Sequence, residues 1–234
     1  MRILHASDLH LRRDWFAWVA EHCAGFDLLA LSGDLQNAFA DVGMSAQAET
    51  ISAWLTALRV PTVVCSGNHD FWAQHPKAKT EPEKYGDEMA EAGWLKALRG
   101  TGSGLVVDGD RVRVGGLTIL SNGWLQSPVG RADIVVTHAP PVGSNDEQGD
   151  VGDPDIWQKF GAHPPTLLLC GHIHACARKA AIVTDDRPTT LVLVPGCDEA
   201  SAVPAHWIID TETKTAVHSG GESVDFSGLN WANP

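Results

Sequence analysis

Two rhythms of apolar and polar positions alternate along the chain. Short apolar runs close on polar or glycine-containing ends: ILHASD (3–8), FDLLALSGD (26–34), PTVVCSGN (61–68), DIVVTHAP (133–140) and TLLLCGH (166–172). Such runs read as buried strands. Between the early ones, Trp15, Trp18, Val19 and His22 follow helical spacing, as do Ile51, Trp54, Leu55 and Leu58. A third helix is expected over roughly 86–98, with Met89 and Leu95 facing inward. Later apolar runs are expected as antiparallel strands: GLVVD (104–108), RVRVGGLTIL (111–120), AAIVT (180–184), TLVLVP (190–195) and AHWIID (205–210).

Strand–helix alternation calls for parallel strands with right-handed crossovers, and the later strands add an antiparallel part. The expected fold class is therefore a layered α/β architecture. Residues 73–86 and 141–155 are polar and read as surface loops, the second long enough to border a site. Residues 1–218 are expected as a single domain, and the polar, Gly/Ser-containing 219–234 as a loosely docked tail.

Each of three strand ends places glycine directly before a metal-ligand type: Gly33-Asp34, Gly67-Asn68 and Gly171-His172. Glycine there allows close backbone approach, and the carboxyl ends of strands are where α/β sheets bind ligands. The first strand closes on Asp8-Leu9-His10, and a later one on Thr137-His138. His174 lies two residues past His172. The stretch Cys170-Gly-His172-Ile-His174-Ala-Cys176 also carries the ligand types of a self-contained zinc site. Its geometry argues otherwise: extended backbone would spread Cys170 to Cys176 over about 20 Å, against metal–ligand bonds of about 2.0–2.3 Å. The histidines need partners from other strand ends, and the cysteines read as ordinary thiols. Asp8, His10, Asp34, Asn68, His138, His172 and His174 together form an oxygen and nitrogen set suited to two ions such as Mn, Fe or Zn. Asp34, on a central strand, is the natural bridging carboxylate.

Charge and cysteine content narrow the partners. Twenty-nine acidic against seventeen basic residues give a net charge of −12 and a pI near 5.2. An extended nucleic-acid footprint is disfavoured, although bound metal ions can invert the local field for a small anionic substrate. No apolar run approaches the roughly 20 residues of a membrane span. Five irregularly spaced cysteines, and a start at MRILHASD without a signal-type apolar stretch, point to a reducing, cytoplasmic setting.

The ordered blocks Asp8-Leu9-His10, Gly33-Asp34, Gly67-Asn68-His69-Asp70, His138 and Gly171-His172-Ile173-His174 resemble the calcineurin-like metallophosphoesterase family. The resemblance runs from residue 1 to about residue 197. It implies a two-sheet β-sandwich flanked by helices. It also implies a first metal held by Asp8, His10 and His174, and a second held by Asn68, His138 and His172, with Asp34 bridging. His69 would face the leaving-group oxygen as general acid or charge stabiliser, with Asp70 orienting it. Leu193-Val194-Pro195-Gly196-Cys197 is similar to the family's late Asn-Pro-Gly-Ser element, with Val194 and Cys197 as departures.

The implied activity is hydrolysis of a small phosphodiester or phosphomonoester, nucleotides among the candidates, by in-line attack of a metal-bridging hydroxide. One alternative is a DNA exo- or endonuclease, since ILHASDLH is similar to the start of the family's exonuclease branch; charge and chain length oppose it. The other is a non-catalytic protein-binding scaffold, opposed by retention of the whole ligand set. Arg12, Asn37 and Asn122 are candidate substrate contacts, with Trp124 as a pocket wall. Asn37 has capping of the second helix as its structural alternative. His5 is expected to be buried and hydrogen-bonded, and His206 and His218 to be surface or packing residues.

Overall fold

The computed structural model describes residues 1–72, 92–102, 104–124, 126–128, 130–142, 152–161, 163–174, 179–185 and 187–231. The expected segment 73–86, most of the loop 141–155, Met89 and Cys176 lie outside the described residues.

The first half alternates as expected: β1 (Arg2–Ala6), α1 (Arg13–His22), β2 (Leu28–Ser32), α2 (Met44–Ala57), β3 (Thr62–Cys65) and the short α3 (Asn68–Trp72). A short helix α4 (Gly93–Lys96) buries Leu95. Then come β4 (Leu105–Val106), β5 (Arg111–Val114), β6 (Leu117–Asn122), β7 (Ile134–Thr137), α5 (Ile156–Phe160) and β8 (Leu167–Leu169). The chain closes with β9 (Lys179–Asp185), β10 (Arg187–Val194), β11 (His206–Asp210), β12 (Thr215–His218) and β13 (Ser223–Asp225).

These strands form two sheets, ordered β13-β12-β11-β1-β2-β3-β4 and β5-β6-β7-β8-β10-β9. Alternate side chains explain the unbroken apolar runs. Ile3, Leu28, Ala30, Val63, Ile134, Val136, Leu167 and Leu169 fill the layer between the sheets. Their neighbours Leu4, Leu29, Leu31 and Val64 pack outward under α1 and α2 with Trp15, Val19, Ile51 and Leu55. Val135, Leu168 and Val192 pack outward on the second sheet with Ile156 of α5. Strands buried on both faces have no polar side to alternate with. The result is a β-sandwich flanked by helices.

Three expectations are corrected. RVRVGGLTIL is two strands, not one: Gly115 and Gly116, with φ of 58° and 83°, form the two-residue turn that pairs Val114 with Leu117. Positive φ at both central positions matches the twist of a tight hairpin. The later strands are not uniformly antiparallel either, because β4, β6 and β10 pair in parallel with β3, β7 and β8. The end of the chain is not loosely docked. β13 adds to β12, and Phe226 and Leu229 are buried in the layer between the sheets. Two apolar anchors in a polar stretch suffice to tie it down.

Candidate metal centre

The strand ends that bear the candidate ligands come from both sheets. β1, β2 and β3 deliver Asp8 with His10, Asp34 and Asn68, while β7 and β8 deliver His138 and His172 with His174. The site is thus a seam between two sheets rather than the rim of one. Reaching it strains the backbone. Asp8, His10, Leu11, Asp34 and His172 all hold positive φ, between 43° and 71°, and Lys214 alone does so elsewhere among the described non-glycine residues. Such strain costs roughly 1–3 kcal/mol per residue and clusters where function needs a fixed geometry. The glycines supply space: a Cβ on Gly171 would overlap Ser7 and approach Asp8 Oδ2 within 2.7 Å, and one on Gly67 would overlap the Asp34 carboxylate.

In the first group, His174 Nε2 lies 3.2 Å from Asp8 Oδ1 and 3.1 Å from His10 Nε2, and His10 Nε2 lies 3.8 Å from Asp8 Oδ1. The opposite nitrogen of His10 faces the Gln36 carbonyl at 3.4 Å, which directs Nε2 inward. In the second group, Asn68 Oδ1 faces His138 Nε2 at 3.1 Å and His172 Nδ1 at 3.0 Å. His138 donates Nδ1–H to the Ser32 carbonyl at 2.7 Å, leaving Nε2 to the site. Carbonyls behind imidazoles are the usual second layer of a metal site. Asp34 joins the groups. Its Oδ1 accepts the His69 amide at 2.8 Å, while Oδ2 sits 3.4 Å from His138 Nε2 and 4.0 Å from His10 Nε2.

These separations test the fit of a metal directly. Bonds of about 2.0–2.2 Å in tetrahedral or octahedral shells place neighbouring donor atoms about 3.0–3.5 Å apart. Most of the observed spacings fall in or next to that range. In the protein alone, protons serve the same lone pairs. Burial resists protonation of His138, yet the charge and hydrogen bond of Asp34 push it up to about 9. The hydrogen bond to Asp8 raises His174, against its burial. Burial would raise Asp8, but the bond from His174 and the charge of His138 hold it well below the usual carboxylate range. Metal ions bound to these groups would displace such protons.

His69 stands beside both groups, its Nε2 3.8 Å from Asp34 Oδ2 and its ring edge-on to His10 at a centroid distance of 4.6 Å. The amide of Ala38 donates to its Nδ1 at 2.9 Å. The neutral ring therefore carries its proton on Nε2, facing the site. Burial lowers His69 to about 4, with the charge of Asp34 opposing. The orientation expected from Asp70 is not found. Its carboxylate accepts the amides of Leu35, Gln36 and Gly67 at 3.2, 2.9 and 3.0 Å, tying the β2 turn to the β3 turn. Asp70 positions the loops, and Ala38 positions the ring.

Two further candidates are spent on structure. Arg12 pairs with Asp14 at 2.6 Å, donates to the Glu199 and Ser201 carbonyls, and stacks over Trp15 at 4.2 Å. Asn37 Oδ1 closes a turn by accepting the Phe39 amide at 2.9 Å, and Gly43 is the N-cap of α2. Asn122 is buried, donating to the Gln126 carbonyl and to Thr137 Oγ1, both at 3.3 Å. It does border a 150 Å³ cavity with Trp124, Thr137 and Asp153. The Trp124 ring lies 5.2 Å from His172 and 5.6 Å from His138, so the expected wall stands beside the second group. Sequence reading missed Ala38, Ser32 and Gln36, which act through backbone atoms that carry no residue-type signal.

The calcineurin-like phosphoesterase family matches residues 1–176, three quarters of the chain. The chain belongs to that family. The fold of this calcineurin-like phosphoesterase is similar to that of TT1561 of Thermus thermophilus, at 16% identity and a TM-score of 0.57, covering 96% of this chain and 98% of that one. It is also similar to that of the purple acid phosphatase PPD1 from yellow lupin seeds, at 13% identity and a TM-score of 0.52, over 96% of this chain and 52% of the lupin enzyme. No curated protein matches the sequence. Membership of this phosphoesterase family implies divalent metal ions, and the described residues hold matching groups: Asp8-His10-His174, His10-Asp34-His69 and Asp8-Asp34-His138. No described helix is long and apolar enough to cross a membrane.

Proposed function

We propose that this calcineurin-like protein is a dinuclear metal-dependent phosphoesterase acting on a small phosphodiester or phosphomonoester. The observation that carries the reading is the position of Asp34 Oδ2, reachable from His10 in one group and His138 in the other. Asp8, His10 and His174 would hold one ion, Asn68, His138 and His172 the other, and Asp34 both. Two divalent ions bound there would lower the pKa of a water and neutralise charge on the phosphoryl oxygens. The chain's own contribution is placement. Ser32 and Gln36 carbonyls aim His138 and His10, and strained turns hold Asp8, Asp34 and His172 against their neighbours.

His69 contributes a hydrogen bond rather than a shuttled proton. With Nδ1 accepting from the Ala38 amide, its Nε2–H faces the centre and would donate to a leaving-group oxygen. A cationic ring would set two N–H groups head to head, which favours the neutral donor. Net charge of −12 keeps other polyanion contacts weak, so attraction is confined to the cationic centre. The test is manganese-dependent hydrolysis of bis(p-nitrophenyl) phosphate. Turnover abolished by Asp34→Ala supports the reading; no turnover with Mn, Fe or Zn overturns it in favour of a non-catalytic scaffold.

A further inference from the structure

At the rim of the centre, Cys197 stands where the family's late element has serine. It is partly buried, whereas Cys23, Cys65 and Cys170 are buried. Its amide donates to the His174 carbonyl at 3.2 Å, and its thiol lies 3.8 Å from the Asp8 carbonyl. Ligand atoms of His174, Cys197 and Glu199 lie within 4.8 Å of one another. We propose that these three residues form a third cation site, selective for thiophilic ions such as Zn²⁺ or Cd²⁺, whose occupation inhibits the enzyme by drawing on His174.

Donor chemistry separates this site from the main centre. The seven residues of the main set offer only oxygen and nitrogen, which suit harder ions. A thiolate joined to an imidazole and a carboxylate prefers softer ones. The surroundings also favour a cation. Among the described residues, Asp8, Glu199 and Asp198 set negative charge around the thiol, and Arg12, whose charge opposes them, is paired with Asp14 at 2.6 Å. Access is open, because Glu199 is exposed and the His174 side chain is 40% exposed, against 10% for His10. Binding involves no redox change. The sulfur–metal bond forms as the thiol proton leaves to solvent, and the weak contact to the Asp8 carbonyl is given up. His174 belongs also to the group with Asp8 and His10, so the two sites cannot use its imidazole independently.

The inhibitory part rests on the dinuclear reading; the binding part does not. The experiment titrates Cd²⁺ into the full chain saturated with Mn²⁺, following the ultraviolet thiolate-to-cadmium charge-transfer band and phosphodiester hydrolysis in the same samples. The expected result is a saturable band, absent in Cys197→Ser and displaced in Glu199→Gln to cadmium concentrations at least about tenfold higher, the loss typical even of an outer-shell partner. Hydrolysis should fall along the same curve, and Cys197→Ser should resist cadmium relative to its own uninhibited rate. No band, or a band unchanged in Cys197→Ser because another thiol such as Cys176 supplies it, overturns the site. A Cys197-dependent band with equal inhibition of both proteins overturns the shared use of His174. A chain that hydrolyses nothing under any metal fails the phosphoesterase reading while the band still decides the site.

Discussion

The backbone amide of Ala38 and the ring of His69 are joined by a 2.9 Å hydrogen bond that fixes the tautomer of the histidine. Nε2–H then faces the centre as a donor. His69→Ala is expected to lower kcat by about 10²–10³, the usual loss for one charge-stabilising donor. The deficit should grow as the leaving group becomes more basic. Burial holds His69 near 4, so the pH–rate profile should show no limb from its titration between pH 6 and 9. A full rate on esters of poor leaving groups would remove His69 from the reaction.

Gly171 is predicted to tolerate no side chain. A methyl there would overlap Ser7 and press on Asp8 Oδ2 and the Ser32 carbonyl at 2.7 and 2.8 Å. Overpacking of this kind costs about 1–3 kcal/mol. Thermal melts of Gly171→Ala should show that loss, and calorimetry should show weaker manganese binding because Asp8 is displaced. Unaltered metal affinity would mean the seam between the sheets is looser than its contacts suggest.

Arg12 is predicted to matter for stability and not for substrate. Its guanidinium already serves Asp14, Glu199, Ser201 and the face of Trp15. Arg12→Ala should leave KM unchanged and destabilise by about 1 kcal/mol, combining a surface ion pair with a cation–π contact. A raised KM with an unchanged melting temperature would restore the phosphate-binding role suggested by its position after Asp8-Leu9-His10.

His5 gives a pH dependence of known sign. It is fully buried, its Nε2 2.8 Å from Ser32 Oγ, and burial lowers it from 6.5 to about 3. Between those values the unfolded chain binds the extra proton, so stability is full above about 6.5 and falls as pH drops toward 3. From pH 7.5 to pH 5 this one group should remove about 2 kcal/mol. Urea titrations of the protein and of His5→Gln at both pH values isolate it, since groups common to both cancel. Equal acid sensitivity in the two proteins would show that His5 is not held neutral.

Much of the fold and site was legible because both depend on residue type. Apolar runs such as FDLLALSGD marked strands buried on two faces, and each ended at a candidate ligand that the structure brings to the centre. What was not legible lies in backbone atoms and pairing partners. Ser32 aims His138 through its carbonyl, and Ala38 aims His69 through its amide, roles any residue there could fill. Asp70 sits beside His69 in sequence, yet its carboxylate turns to the amides of Leu35, Gln36 and Gly67. Strand direction was equally hidden, since a run such as TLVLVP packs identically in a parallel or an antiparallel pair. Docking of 219–231 hung on Phe226 and Leu229, too few apolar residues to stand out in a polar stretch.

The most direct test is anomalous diffraction from crystals of the full chain grown with manganese. Two peaks about 3.5–4 Å apart, one beside Asp8, His10 and His174 and the other beside Asn68, His138 and His172, with Asp34 Oδ2 between them, are predicted. A single peak, or two peaks that Asp34 does not join, would contradict the dinuclear centre.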